Sequence, residues 1–291
     1  MKVWKKFSRN PLGVFGLVLA VLFALMALFA PVLAPMPKDQ GNVRTTFTIP
    51  ERMASEGYSS EPTKPNATHK FGLSENGYDI KFGVVWGART AFVISIVIVA
   101  ISLIVGLLVG TIAGFYGGWV DTIMMRFTDI IFSFPSILLL IVLATVLGRE
   151  LWVLMLAFAA VGWGTYARLI RSEILKIKRL EYVEAARAIG ARDLRLIMKH
   201  VIPNSLGSLL VVVTNDIGSI VVSFAALSFI GVGAPSGFPD WGQLINLSKN
   251  WITRPEYAFT YLYPGVALIL FSLSWNLIGD SLRDAIDPRS R

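Results

Sequence analysis

Two short stretches of this sequence carry residues whose types and spacing suit more than packing. The first is EYVEAARAIGARDLRLIMKHVIPN, Glu181 to Asn204, polar and basic between long apolar runs. Here Glu184, Ala185 and Ala186 precede Gly190, with Pro203 further on. A carboxylate beside two small residues suits contact with another protein, since the acid can pair with a cation and the alanines permit close approach. Tyr182, Ala185, Ala186 and Ile189 recur at i, i+3, i+4 and i+7, one face of a short amphipathic helix. Gly190 ends that helix as a C-cap glycine does. Asp193 stands where a first-turn acid belongs, and Leu194, Ile197, Met198 and Val201 repeat the spacing. The pattern predicts helix, glycine turn, helix, closed by Pro203, too short and too charged to span a bilayer. Such a pair either rests on the lipid interface or docks a cytoplasmic partner.

The second stretch is VVVTNDIGSIVVSF, where Asp216 is the only acid well inside an apolar run. A charge facing lipid at mid-depth costs roughly 2.5–3.5 kcal/mol. Asp216 is therefore expected to face protein or a watered cavity. Thr214 and Asn215 beside it add hydrogen-bonding capacity, which suits either a polar pathway wall or a structural pair. Phe224 lies eight residues on, about two turns, and is placed near the same face.

Other chemistries are excluded by residue type. There is no Cys, and of the two His, His69 and His200, neither lies in a cluster of acids with ligand spacing, so no thiolate or metal site is expected. No GxxxxGK[ST], HExxH or GxSxG occurs, which leaves the chain without its own nucleotide site, catalytic residues or cofactor.

These stretches sit in a chain built for lipid. Of 291 residues, 54% are hydrophobic and only 16% charged, against about 25% in soluble domains, and the mean hydropathy is +0.62. The net charge of +8 lies beside apolar runs and forms no stripe with interleaved aromatics, so it reads as membrane topology and not as nucleic-acid binding.

Six runs approach the roughly 20 residues needed to cross a bilayer. They are Pro11 to Leu33, a run starting at Thr90, one from Ile130, one from Leu151, about Leu206 to Val232, and about Tyr261 to Ile278. The first exceeds the apolar length of a signal peptide and is expected to be retained. The sequence thus predicts an all-α, six-span membrane protein. It divides into 1–33 (tail and first span), 34–87 (extracytoplasmic loop), 88–280 (membrane core) and 281–291 (tail). Lys2, Lys5, Lys6 and Arg9 place the N-terminus in the cytoplasm, and six spans return Arg283, Arg289 and Arg291 there. Arg168 to Lys199 holds nine basic residues against four acids and falls on the same side. In the second span Gly106, Gly110, Gly114 and Gly118 share one face, suited to close helix packing. The 233–260 loop is expected to hold a short surface helix, with Trp241 and Trp251 as interface anchors.

The loop EAARAIG followed by VIP resembles the cytoplasmic loop of ABC importer permeases, with His200 where many such loops carry Ile. FGLSENGYD before the second span, RFTDIIFSFPSILLLIVL, WGTYARLIRSEIL, ALSFIGVGAPSGFPDWGQLI and NLIGDSLRDAIDPR resemble the dipeptide/oligopeptide branch of that family, in its C-type permease. Ser74 and Tyr78 replace the branch's usual Asp and Arg, and Phe224 stands where many members have Glu.

The resemblance implies a type I ABC importer permease fold in a prokaryotic inner membrane. It also implies a second homologous permease, two ATP-binding subunits and an extracytoplasmic solute-binding protein as partners. Glu184, Ala185, Ala186 and Gly190 would couple to the ATPase, and Asp216 and Phe224 are candidates for the translocation path. Di- or oligopeptides are the expected cargo, with nickel chelates and oligosaccharides as alternatives in the same branch. A membrane-embedded enzyme would need a polar intramembrane cluster, and an ion-coupled transporter several buried charges. Neither pattern is present in the sequence.

Overall fold

The computed structural model describes residues 2–36 and 49–286. Arg289 and Arg291, expected to be cytoplasmic, lie outside these, as does the side chain of Lys2.

The chain begins with α1 (Lys2–Phe7) and α2 (Pro11–Leu28). Asn10 caps α2 by accepting from the Leu12 N–H at 3.0 Å, and Pro11 occupies the first helical position, where a missing N–H costs nothing. Gly13 and Gly16 bring α2 against α12 (Phe259–Ile286): a Cβ at Gly16 would sit 2.8 Å from the backbone oxygen of Ser274. A short α3 (Ala30–Leu33) follows.

Residues 49–79 form an irregular segment with isolated bridges such as Thr63 to Leu73. It is pinned by His69, whose ring nitrogens lie 2.8 Å from Asp79 and 2.8 Å from Glu56. Met53 is buried in the core cluster formed with the helices, which ties the segment to the body. Asp79 then caps α4 (Ile80–Tyr116) through the Phe82 N–H at 2.9 Å. This helix starts ten residues before the apolar run at Thr90, inside the stretch assigned to the 34–87 loop. Its first turns are buried against other elements, so protein contacts and not lipid contacts extend it.

α4 packs along α7 (Leu151–Ile177) more extensively than any other pair. The glycine face accounts for this. A Cβ at Gly110 would lie 2.5 Å from the Ala167 carbonyl oxygen, and one at Gly114 would lie 3.1 Å from that of Arg171. Gly118 does not belong to the face. α4 stops at Tyr116, Gly117 takes a φ of +71°, and Gly118 opens the next helix.

The third span is not straight. α5 (Gly118–Phe132) and α6 (Ser136–Leu147) meet at 81° across Ser133–Pro135. Pro135 has no N–H to donate and drives Phe134 out of helical geometry, which is enough to break the run. Among the described residues, five helices are individually long and apolar enough to span a bilayer, and the bent pair taken as one span makes six.

After α7 come α8 (Glu181–Ala188) and a turn at Gly190. α9 (Asp193–Leu196) and a π-helical turn (Ile197–Val201) then run directly into α10 (Ile202–Ile230). Pro203 therefore closes nothing. It sits in the first turn of α10, where proline is tolerated.

α11 (Trp241–Leu247) is the expected short helix of the 233–260 loop, capped by Asp240. Trp241 and Trp251 are not interface anchors. Trp241 is 1% exposed and donates to the Val84 carbonyl at 3.0 Å, while Trp251 donates to Glu75 at 2.7 Å. Their indoles tie the loop to the body.

Candidate functional site

Two regions carry polar chemistry that the packing does not use up. The first is α8 and its turn. Val183 is 1% exposed and is the one residue of α8 that is fully buried. It lies in the core cluster that also contains Phe115 of α4, Ile174 and Ile177 of α7, and Leu196 and Val201 below α10. The face built on Tyr182, Ala185, Ala186 and Ile189 points largely outward: Ile189 is 88% exposed, Tyr182 and Ala185 are also exposed, and Ala186 is partly buried. Beyond the turn the expected face divides. Ile197 and Val201 are buried, whereas Leu194 (71%) and Met198 are exposed. Of the four residues singled out, Glu184, Ala185 and Gly190 are exposed and Ala186 is partly buried against the core. Gly190 takes a φ of +89°, a conformation that excludes most side chains, and a Cβ there would meet nothing within 4 Å. Glu184 forms no ion pair among the described residues.

The end of α7 that leads into α8 is braced by charge. Arg171 holds Asp121 of α5 in a two-pronged pair, with Nη2 to Oδ2 at 2.6 Å, and Arg168 reaches Asp129 at 2.7 Å. Lys178 donates to the Gly114 carbonyl at 2.8 Å, and the Arg187 guanidinium lies over the Phe115 ring. α7 is thereby tied to α5, and α8 is held against the ends of α4 and α7.

The second region is a cavity of about 340 Å³ between α4, α6, α7 and α10. Asp216, Ser219 and Ser223 line it from α10, one helical face at i, i+3 and i+7. Tyr166 and Thr165 line it from α7 and Ser102 from α4. The Tyr166 hydroxyl faces Asp216, is fully buried, and makes no hydrogen bond of normal geometry. Tyr166 was not singled out from the sequence. Its approach to Asp216 depends on α7 lying beside α10, which no local spacing encodes. Phe224 does not line the cavity. It is 1% exposed and packs on Phe158, which does, with ring centroids 5.9 Å apart.

A bundle of apolar helices, one of them broken, around a polar cavity and with a charged helical hairpin at one end defines a multi-pass membrane permease. The model of the binding-protein-dependent transport system inner membrane component matches residues 106–291. The model of the N-terminal transmembrane domain of oligopeptide transport permease C matches residues 1–50. The chain is 35% identical over 290 residues to the dipeptide transport system permease protein DppC of Alkalihalophilus pseudofirmus, covering 100% of this chain and 90% of that protein. It is 33% identical to the oligopeptide transport system permease protein OppC of Bacillus subtilis, covering 100% and 91%. It is also 33% identical to the glutathione transport system permease protein GsiD of Escherichia coli O157:H7, covering 98% and 89%.

Among solved structures, the inward-facing MetNI methionine ABC transporter shares the fold at a TM-score of 0.54 and 19% identity, covering 69% of this chain and 96% of that one. An amino acid ABC transporter does so at 0.51 and 17%, covering 69% and 90%. The chain belongs to the ABC importer permease family of binding-protein-dependent transport systems, in its dipeptide/oligopeptide C-type branch.

Proposed function

We propose that this chain forms half of the translocation pathway of an ATP-driven peptide importer and couples to its ATPase through α8 and the Gly190 turn. The observation that carries the coupling is the outward face of α8. An apolar surface at Ile189 and Tyr182, beside a glycine turn and a Glu184 that forms no ion pair among the described residues, is costly to leave in water and suits a protein partner. Ala185 permits close approach and Glu184 supplies a carboxylate for a cation across the contact. A displacement of α8 passes through Val183 to α7 and to the base of α10. Asp216 lies fifteen residues along from Val201, about 22 Å up the same helical rod. Rearrangement at the docking end thereby reaches the cavity, with Phe224 setting the position of the Phe158 wall.

In this reading both termini and α8 are cytoplasmic, and residues 49–79 with α11 face outward, where an extracytoplasmic solute-binding protein delivers cargo. A homologous second permease supplies the other half of the path, and two partner subunits hydrolyse ATP. The dipeptide, oligopeptide and glutathione systems of the relatives support a short peptide as the cargo.

The test is ATP-dependent uptake in proteoliposomes holding the full complex and its binding protein. Import of di- or tripeptides is expected. Import of nickel chelates or oligosaccharides in place of peptides contradicts the substrate assignment. Orientation is checked separately by placing a single Cys at Ser60 in this Cys-free chain. Labelling by an impermeant reagent is expected from the outside of intact cells, and labelling only after permeabilisation reverses the topology.

A further inference from the structure

We infer that the cavity between α4, α6, α7 and α10 recognises the protonated amino terminus of the transported peptide, with Asp216 as its counter-ion. The inference rests on the peptide-importer reading and adds the chemical group that this site selects. Three observations carry it. The cavity is lined by one carboxylate and by no Lys, Arg or His, and Asp216 forms no ion pair among the described residues. A carboxylate so placed lacks the cation that intramembrane acids generally take. The Tyr166 hydroxyl is buried and faces the Asp216 carboxylate from α7, leaving its oxygen lone pairs toward the cavity. The neighbouring serines already spend their protons on the helix: Ser219 donates to the Asn215 carbonyl at 3.1 Å and Ser223 to the Ser219 carbonyl at 2.9 Å. What they present to the cavity is lone pairs.

A primary ammonium has three N–H donors and no acceptor, and therefore needs such a set of acceptors. The carboxylate neutralises its charge, and hydroxyl oxygens of Tyr166 and Ser219 can take the remaining donors. At about 340 Å³ the space lies within the range of small-ligand pockets, large enough for the amino-terminal end of a peptide. An anion or a neutral sugar finds no matching charge there.

The experiment uses the full complex with a single Cys at Ser219, one turn from Asp216, in this otherwise Cys-free chain. The probes are methanethiosulfonate ethylammonium and methanethiosulfonate ethylsulfonate, with rates normalised to a free thiol. The cationic reagent is expected to react roughly tenfold faster or more, and the preference is expected to vanish when Asp216→Asn is added. Alanyl-alanine is expected to slow the labelling and N-acetyl-alanyl-alanine to leave it unchanged. In uptake assays, Asp216→Asn is expected to remove the preference for the free-amine peptide, and Asp216→Glu to retain it.

Equal reaction of both reagents, or protection by the acetylated peptide as well as by the free one, overturns the inference. If Asp216→Asn does not assemble, the charge preference and selective protection in the Asp216-containing protein decide alone. Failure of the wild-type complex to import any peptide overturns the peptide reading and this inference together. Peptide uptake without amine preference overturns the inference only.

Discussion

Replacing Gly190 separates what the turn needs from its own backbone and what it needs from a partner. Gly190 sits at a φ of +89°, and a Cβ there would meet no heavy atom of the chain within 4 Å. Alanine therefore adds only the left-handed backbone cost, about 1–2 kcal/mol, with no internal clash. Asparagine, which tolerates this conformation, adds less. Tryptophan adds the same backbone cost and a large side chain directed away from the chain. If the turn must be formed to dock, Gly190→Ala lowers the ATPase subunit's apparent affinity for the permease about 5- to 30-fold, the factor that corresponds to 1–2 kcal/mol. Gly190→Asn lowers it less, and Gly190→Trp abolishes coupled transport. The assay is titration of the purified ATPase against the reconstituted permease pair, alongside ATP hydrolysis stimulated by loaded binding protein. Permease melting should be unchanged in all three variants. Wild-type affinity and transport in Gly190→Trp, or equal loss in Gly190→Ala and Gly190→Asn with a lowered melting temperature, would overturn the docking role of the turn.

Gly110→Leu should depress the melting temperature of the detergent-purified protein steeply, because even a Cβ meets the Ala167 carbonyl oxygen at 2.5 Å and α4 must leave α7. Gly118→Leu, where a Cβ meets nothing within 4 Å, should cost far less despite the same spacing in sequence. In the 49–79 segment, the hydrogen bond to Asp79 raises the His69 pKa above its ordinary 6.5, and pairing with Glu56 adds to it against a desolvation penalty. A folded-state value above the unfolded one means the stabilisation is fully present below pH 6.5 and is lost as pH rises through the folded-state value. Hydrogen exchange in residues 49–79 should therefore accelerate with rising pH beyond its intrinsic base catalysis, and His69→Gln should remove that excess.

Run lengths were enough to read the six spans, the third without its bend, and the helix–turn–helix around Gly190 was visible because a glycine C-cap and a first-turn acid are local signals. At α8 the helical spacing of Tyr182, Ala185, Ala186 and Ile189 was legible, and all but Ala186 are exposed in this chain. An apolar face marks what a helix buries but does not say whose surface covers it. The 81° break at Pro135 was legible from a proline within an apolar run, but run length alone joined the two halves. Trp241 and Trp251 have the composition of interface anchors, and only the tertiary hydrogen bonds to Val84 and Glu75 show otherwise. Asp216 was conspicuous as an acid among apolar residues. Its neighbour Tyr166 and the burial of Phe224 depend on how α7 and α10 lie together, which spacing along one helix does not contain.

Cross-linking from Ile189 tests the proposal that the outward face of α8 docks the ATPase. In this Cys-free chain a single Cys at Ile189 can carry a short photoreactive group, with a second variant at Leu33, an exposed position at the other end of α2 and α3, as the control. Irradiation of the reconstituted complex should join the Ile189 variant to the ATP-hydrolysing subunit, in a yield that changes when nucleotide is bound, while the Leu33 variant gives none. Adducts from Ile189 to lipid alone, with no ATPase product in an assembled and transporting complex, would contradict the account.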